Sequence, residues 1–123
     1  MCLRGASAIE KVLERDRSNR VRVLVVWEPI LPTDWIRPGR MVEKRISDPR
    51  VTQFWDEQHL VAQEVSRQLE STPERDCCRH NGTLWDVVAL YPPAEQWKKA
   101  APEFFEGPVV ASADDLAKRL LEK

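Results

Sequence analysis

At 123 residues the chain is long enough to bury one hydrophobic core and too short for two. Nineteen lysines and arginines against twenty aspartates and glutamates leave a formal net charge of −1, without the basic excess that a nucleic-acid surface carries. No apolar run approaches the ~20 residues of a membrane helix, and no apolar signal-peptide core follows Arg4, so the chain as written is expected to be cytoplasmic, with no membrane partner.

Residues 6–17 place Ala6, Ile9, Val12 and Leu13 on one side of a helix and Glu10, Lys11, Glu14 and Arg15 on the other. The next run, VRVLVVW at 21–27, is apolar almost throughout and rich in β-branched side chains. A strand of that kind is expected to be buried on both faces, central in a sheet with helices on either side. Residues 29–49 hold four prolines and one glycine and read as a long loop, with a turn of helix near 41–45. VTQFW at 51–55 reads as a strand. Asp56 can cap the helix that follows, whose inward face is Val61, Val65 and Leu69, spaced four apart.

A polar loop, STPERDCCRHNG, leads to a second strong strand, TLWDVVALY at 83–91, which PPAEQW ends. PVVA at 108–111 reads as a short strand. SADDLAKRLLEK then closes the chain as a helix, with Ser112 and Asp115 as a capping box and Lys118, Arg119 and Lys123 towards the favourable end of its dipole. Helices and strands that alternate in this way predict an α/β domain with a central mixed sheet and helices on both faces, a single three-layer unit over residues 1–123.

The order of elements resembles the thioredoxin fold with its N-terminal strand missing. The stretches VLVVWEPILPTDW, ISDPRVTQFWD and LWDVVALYPPAEQW resemble a group of small bacterial thioredoxin-like proteins, and the resemblance covers most of the chain. It implies that Cys2 stands at the second cysteine of a Cys-x-x-Cys turn, with the first cysteine and the strand before it upstream of Met1. A start further upstream would imply an exported precursor. One more departure is the residues before Leu84, which are Asn81, Gly82 and Thr83 where thioredoxins carry a cis proline. With the opening strand absent, one edge of residues 21–27 is exposed, and a homodimer pairing there is expected.

Three cysteines do not make a disulfide framework, so their chemistry is that of thiols or metal ligands. At a helix start, free backbone N–H groups and the dipole favour the thiolate of Cys2, and Arg4 adds to this if it turns inward. Cys77 and Cys78 are adjacent, with Arg75, Arg79 and His80 around them. They can form a strained disulfide or present two thiolates to a soft ion. Two ligands do not complete a zinc site. In a thioredoxin-like sheet their loop approaches the first helix, which would let Cys77 or Cys78 serve as the partner of Cys2.

The other candidates are weaker. His59 is isolated and reads as a surface residue near a helix start. Trp27, Trp55 and Trp85 read as packing residues at strands, while Trp35 lies in the Pro-rich loop. Asp34, Asp56 and Asp86 share no metal-binding motif, and Asp86, inside an apolar strand, calls for an edge position or a cationic partner. Phosphate-loop, dinucleotide, esterase and zinc-protease signatures are absent.

Two functions stay open. The first is a thiol-dependent redox protein, acting by thiol–disulfide exchange with a protein thiol or disulfide partner or by peroxide chemistry, with Cys2 as nucleophile and Cys77 or Cys78 as the resolving thiol. The second is a non-catalytic module that binds a protein partner, or a soft metal through Cys77 and Cys78. No organic cofactor is expected for either.

Overall fold

A computed structural model of the chain describes residues 3–18, 20–30, 38–70, 78–80, 82–93 and 101–122. The first helix, α1 (Leu3–Arg15), carries the apolar stripe that begins at Ala6. Its buried positions are Gly5, Ala6, Val12 and Leu13, and they serve two clusters. Val12 packs with Phe104, Ala113, Leu116, Ala117 and Leu120, whereas Ala6 and Leu13 pack with Trp27 and Ile46.

A helix leaves its last carbonyls without partners. Here the Arg50 guanidinium supplies them, donating to the carbonyls of Leu13 (2.8 Å), Asp16 (2.5 Å) and Ser18 (2.8 Å). Asp48 holds the guanidinium in place at 2.8 Å. The carboxyl end of α1 is thereby clasped to the turn that precedes the second strand.

Strand β1 (Val23–Trp27) pairs parallel with β2 (Val51–Trp55), in register from Val23 opposite Val51 to Trp27 opposite Trp55. Between them in the chain is a short helix, α2 (Arg40–Glu43). Gln53 ties it down, donating to the carbonyls of Glu43 and Ile46 while accepting from the Trp27 indole at 2.8 Å. Val23, Val25 and Trp27 lie on the α1 side of the strand. The opposite face carries Leu24 and Phe54, which are 65% and 49% exposed. The expectation that residues 21–27 are buried on both faces is corrected accordingly. An apolar run is compatible with burial on two sides but does not itself supply the second cover.

Helix α3 (Leu60–Gln68) places Val61, Val65 and Leu69 inward as their spacing predicts, against Leu84, Phe105, Val87 and Ala89. The run 83–91 is not one strand. It divides into β4 (Thr83–Leu84), which pairs antiparallel with β3 (Arg79–His80), and β5 (Val88–Leu90). Asp86 stands at the break with φ of 53°, a left-handed conformation that ends strand pairing there. Its carboxylate accepts the Val109 N–H at 3.1 Å. Asp86 thus caps a helix distant in sequence.

A further strand, β6 (Phe104–Glu106), pairs antiparallel with β5 where no apolar pattern predicts one. PVVA is correspondingly not a strand. Pro108 stands at the cap position after a cis Gly107–Pro108 bond, and Val109 opens α4 (Val109–Leu121). Ser112, read as the cap, lies a turn inside and its hydroxyl donates to the Pro108 carbonyl at 3.0 Å. Four apolar residues do not distinguish strand from helix, and a proline just before them is compatible with a helix start.

Phe104 faces α1 and α4 while its neighbour Phe105 faces α3. Helices thus cover both sides of β5 and β6. Among the described residues the fold is mixed α/β, with four helices and three two-stranded sheets. None of these helices is long and apolar enough to cross a membrane.

Candidate functional site

β1 and β2 run the same way, so their carboxyl ends meet on one rim, the usual place for function in α/β sheets. Asp56 organises that rim. Its N–H closes onto the Trp27 carbonyl at 2.7 Å. Its two carboxylate oxygens receive the N–H groups of Leu60 (3.0 Å) and Val61 (2.8 Å), which is the predicted cap of α3.

His59, at φ of 60°, is turned back from that cap towards β1. Its Nδ1 lies 3.0 Å from Glu28 Oε2, and the two side chains are only 26% and 12% exposed. Burial pushes the Glu28 carboxyl above its ordinary value. The hydrogen bond and charge of His59 pull part of the way back, and the nearby Asp56 charge adds to the rise. With Nδ1 engaged by the carboxylate, Nε2 is the ring nitrogen not used in this pair. His59 is therefore not the isolated surface residue expected from sequence. The usable signal was positional, because Glu28 and Asp56 each directly follow a parallel strand.

The amino end of α1 reaches the same rim. Its carboxyl end is fixed at the start of β1 through Arg50, and thirteen helical residues span about 20 Å. Five strand residues span about 17 Å, so an α1 packed along β1 emerges near Trp27 and Glu28. Gly5, Ala6, Trp27 and Glu28 border one shared groove.

Cys2 and Cys77 lie outside the described residues, as do Asp34, Trp35 and Arg75. The expected meeting of Cys2 with Cys77 or Cys78 falls there too. Cys78 is described, as a half-buried free thiol at φ of 44°. Its carbonyl accepts the Trp85 N–H at 3.1 Å. Its Sγ packs against Gly107 so closely that a Cβ there would come within 2.6 Å of the sulfur and 2.7 Å of the Asp86 carbonyl oxygen. His80 lies beside Trp85, ring centroids 5.9 Å apart. Among the described residues no group of three or more His, Cys, Asp or Glu side chains converges as a metal site.

The groove between β1 and β5 is the remaining feature, a half-open cavity of about 280 Å³. Ala6 and Ile9 of α1 line it together with residues of both strands, and Glu28 is among its few charged residues. No protein-family model, curated protein or solved structure matches the chain.

Proposed function

We propose that the chain is a thiol-dependent redox protein on a thioredoxin-like scaffold, with Cys2 as the nucleophile and Cys77 or Cys78 as the resolving thiol. The observation that carries this reading is that the described part of α1 begins at Leu3, so that Cys2 is its neighbour in sequence. The unpaired N–H groups and dipole of such a helix favour a thiolate. Two further features support it: the Glu28–His59 pair on the rim, and the order of a helix, a parallel strand, an antiparallel strand pair and a terminal helix.

In the forward direction Cys2 gives up its proton, to His59 Nε2 or to water, and its sulfur attacks one sulfur of a partner disulfide. The partner's other sulfur leaves as a thiolate and takes a proton. Cys77 or Cys78 then attacks the mixed disulfide, releasing the reduced partner and leaving Cys2 joined to the resolving cysteine. Two electrons pass from the chain to the partner, and an external thiol such as glutathione returns them.

Exchange with oxidised glutathione tests this. Cys2→Ser abolishes the reaction, and the Cys77→Ser/Cys78→Ser double variant stops at a mixed disulfide on Cys2, seen by mass as one added glutathionyl group. An exchange rate unchanged in Cys2→Ser overturns the reading. It would favour the binding module, for which the half-buried Cys78 thiol would be one ligand.

A further inference from the structure

Two strand edges look into the groove without a strand partner among the described residues. β1 pairs only with β2, β5 pairs only with β6, and their other edges form opposite walls. The Val23 N–H goes to the Arg50 carbonyl, and the Trp27 carbonyl receives the Asp56 N–H. In a parallel ladder this alternation spends the main-chain groups of Val23, Val25 and Trp27 on β2. Leu24 and Val26 direct theirs into the groove. Unpaired N–H and C=O groups beside apolar walls are best matched by another extended main chain.

Charge narrows the occupant. From Val23 to Trp27 the β1 wall is apolar, so a charge at the middle of an inserted segment would lose water without gaining a counter-charge. The ends differ. Arg22 is exposed and makes no ion pair among the described residues, while Glu28 stands at the other end of the strand. A segment running parallel to β1 with an acid at its start and a base at its end matches both. A second copy of this chain fits poorly, because its own β1 arrives with β2 already on one edge and the groove has a strand on each side.

We infer that this protein binds an extended, uncharged segment of another polypeptide as an added strand between β1 and β5. The segment is about five residues long, the length of β1, flanked by an acid and a base. Apolar side chains at alternate positions face Ala6 and Ile9 of α1. No cysteine takes part, so this inference and the redox reading fail separately.

The probe is a capped peptide, Glu-Val-Thr-Val-Thr-Val-Lys, titrated against the full chain and followed by tryptophan fluorescence and hydrogen exchange. Saturable 1:1 binding is expected, with the amides of Leu24 and Val26 becoming protected. N-methylation of alternate peptide amides weakens binding at least about tenfold by removing two or more hydrogen bonds. Lysine at the central valine of the peptide abolishes binding, and Arg22→Glu weakens it roughly two- to fivefold. The inference is overturned by the absence of saturable binding, or by binding indifferent to N-methylation. It is also overturned if the Leu24 and Val26 amides are already protected in the free chain.

Discussion

Replacing Asp56 by alanine removes both oxygens that hold the amino end of α3, at 3.0 Å from Leu60 N and 2.8 Å from Val61 N. A helix cap contributes about 1 kcal/mol, and up to 2 kcal/mol in proteins. Asp56 is only 9% exposed and makes two such bonds, which places it at the upper end, about 2 kcal/mol. For a chain of this length, about 3–5 °C per kcal/mol converts that to a melting point lowered by roughly 6–10 °C. Asparagine keeps one acceptor oxygen and recovers about half of the loss. The same change frees the amino end of α3, where His59 is the residue before the first turn, and so disturbs its bond to Glu28. Circular-dichroism melts measure the first effect and the His59 ring resonances the second. An alanine variant that melts within about 2 °C of the parent refutes this reading of the cap.

Glu28 gives a pH-dependent prediction. An acid whose folded pKa is raised costs stability when ionised, so the penalty is complete above the raised value and fades as pH falls towards the ordinary 4.5. Relative to the parent, Glu28→Gln is therefore more favourable at pH 6 than at pH 4.5, and a constant difference in melting point contradicts this. Tyr91 is the sole tyrosine, and its phenol is pushed up to about 12, first by burial and then by the charge of Glu64. Phenolate absorbance follows it directly, and a midpoint near 10 disagrees. Gly107→Ala costs about 1–3 kcal/mol by overpacking against Cys78 Sγ and the Asp86 carbonyl. Adding Cys78→Ala relieves only the first contact, so urea denaturation of the double variant shows partial recovery; full recovery contradicts the role of Asp86.

Periodicity found the elements whose apolar spacing is matched by their surroundings. Ala6, Val12 and Leu13 on α1, and Val61, Val65 and Leu69 on α3, face the core as their positions require. The misses are short or depend on contacts distant in sequence. FFE offers three residues from which no period can be read, and PVVA becomes a helix start because Pro108 precedes it and Asp86 supplies its cap. Asp86 itself breaks the run 83–91 for the sake of a helix 23 residues further on. At the candidate site, the cap by Asp56 was readable from its place before an apolar helix. The bond between Glu28 and His59 was not, since it depends on a left-handed residue and a separation of 31 positions.

The rate of thiol alkylation against pH, read at each cysteine by peptide mass spectrometry on the intact chain, tests the redox assignment most directly. A Cys2 midpoint well below the ~8.5 of an ordinary thiol is expected from its place ahead of α1. If Cys2, Cys77 and Cys78 all titrate as ordinary thiols, α1 activates no nucleophile and the redox assignment is contradicted.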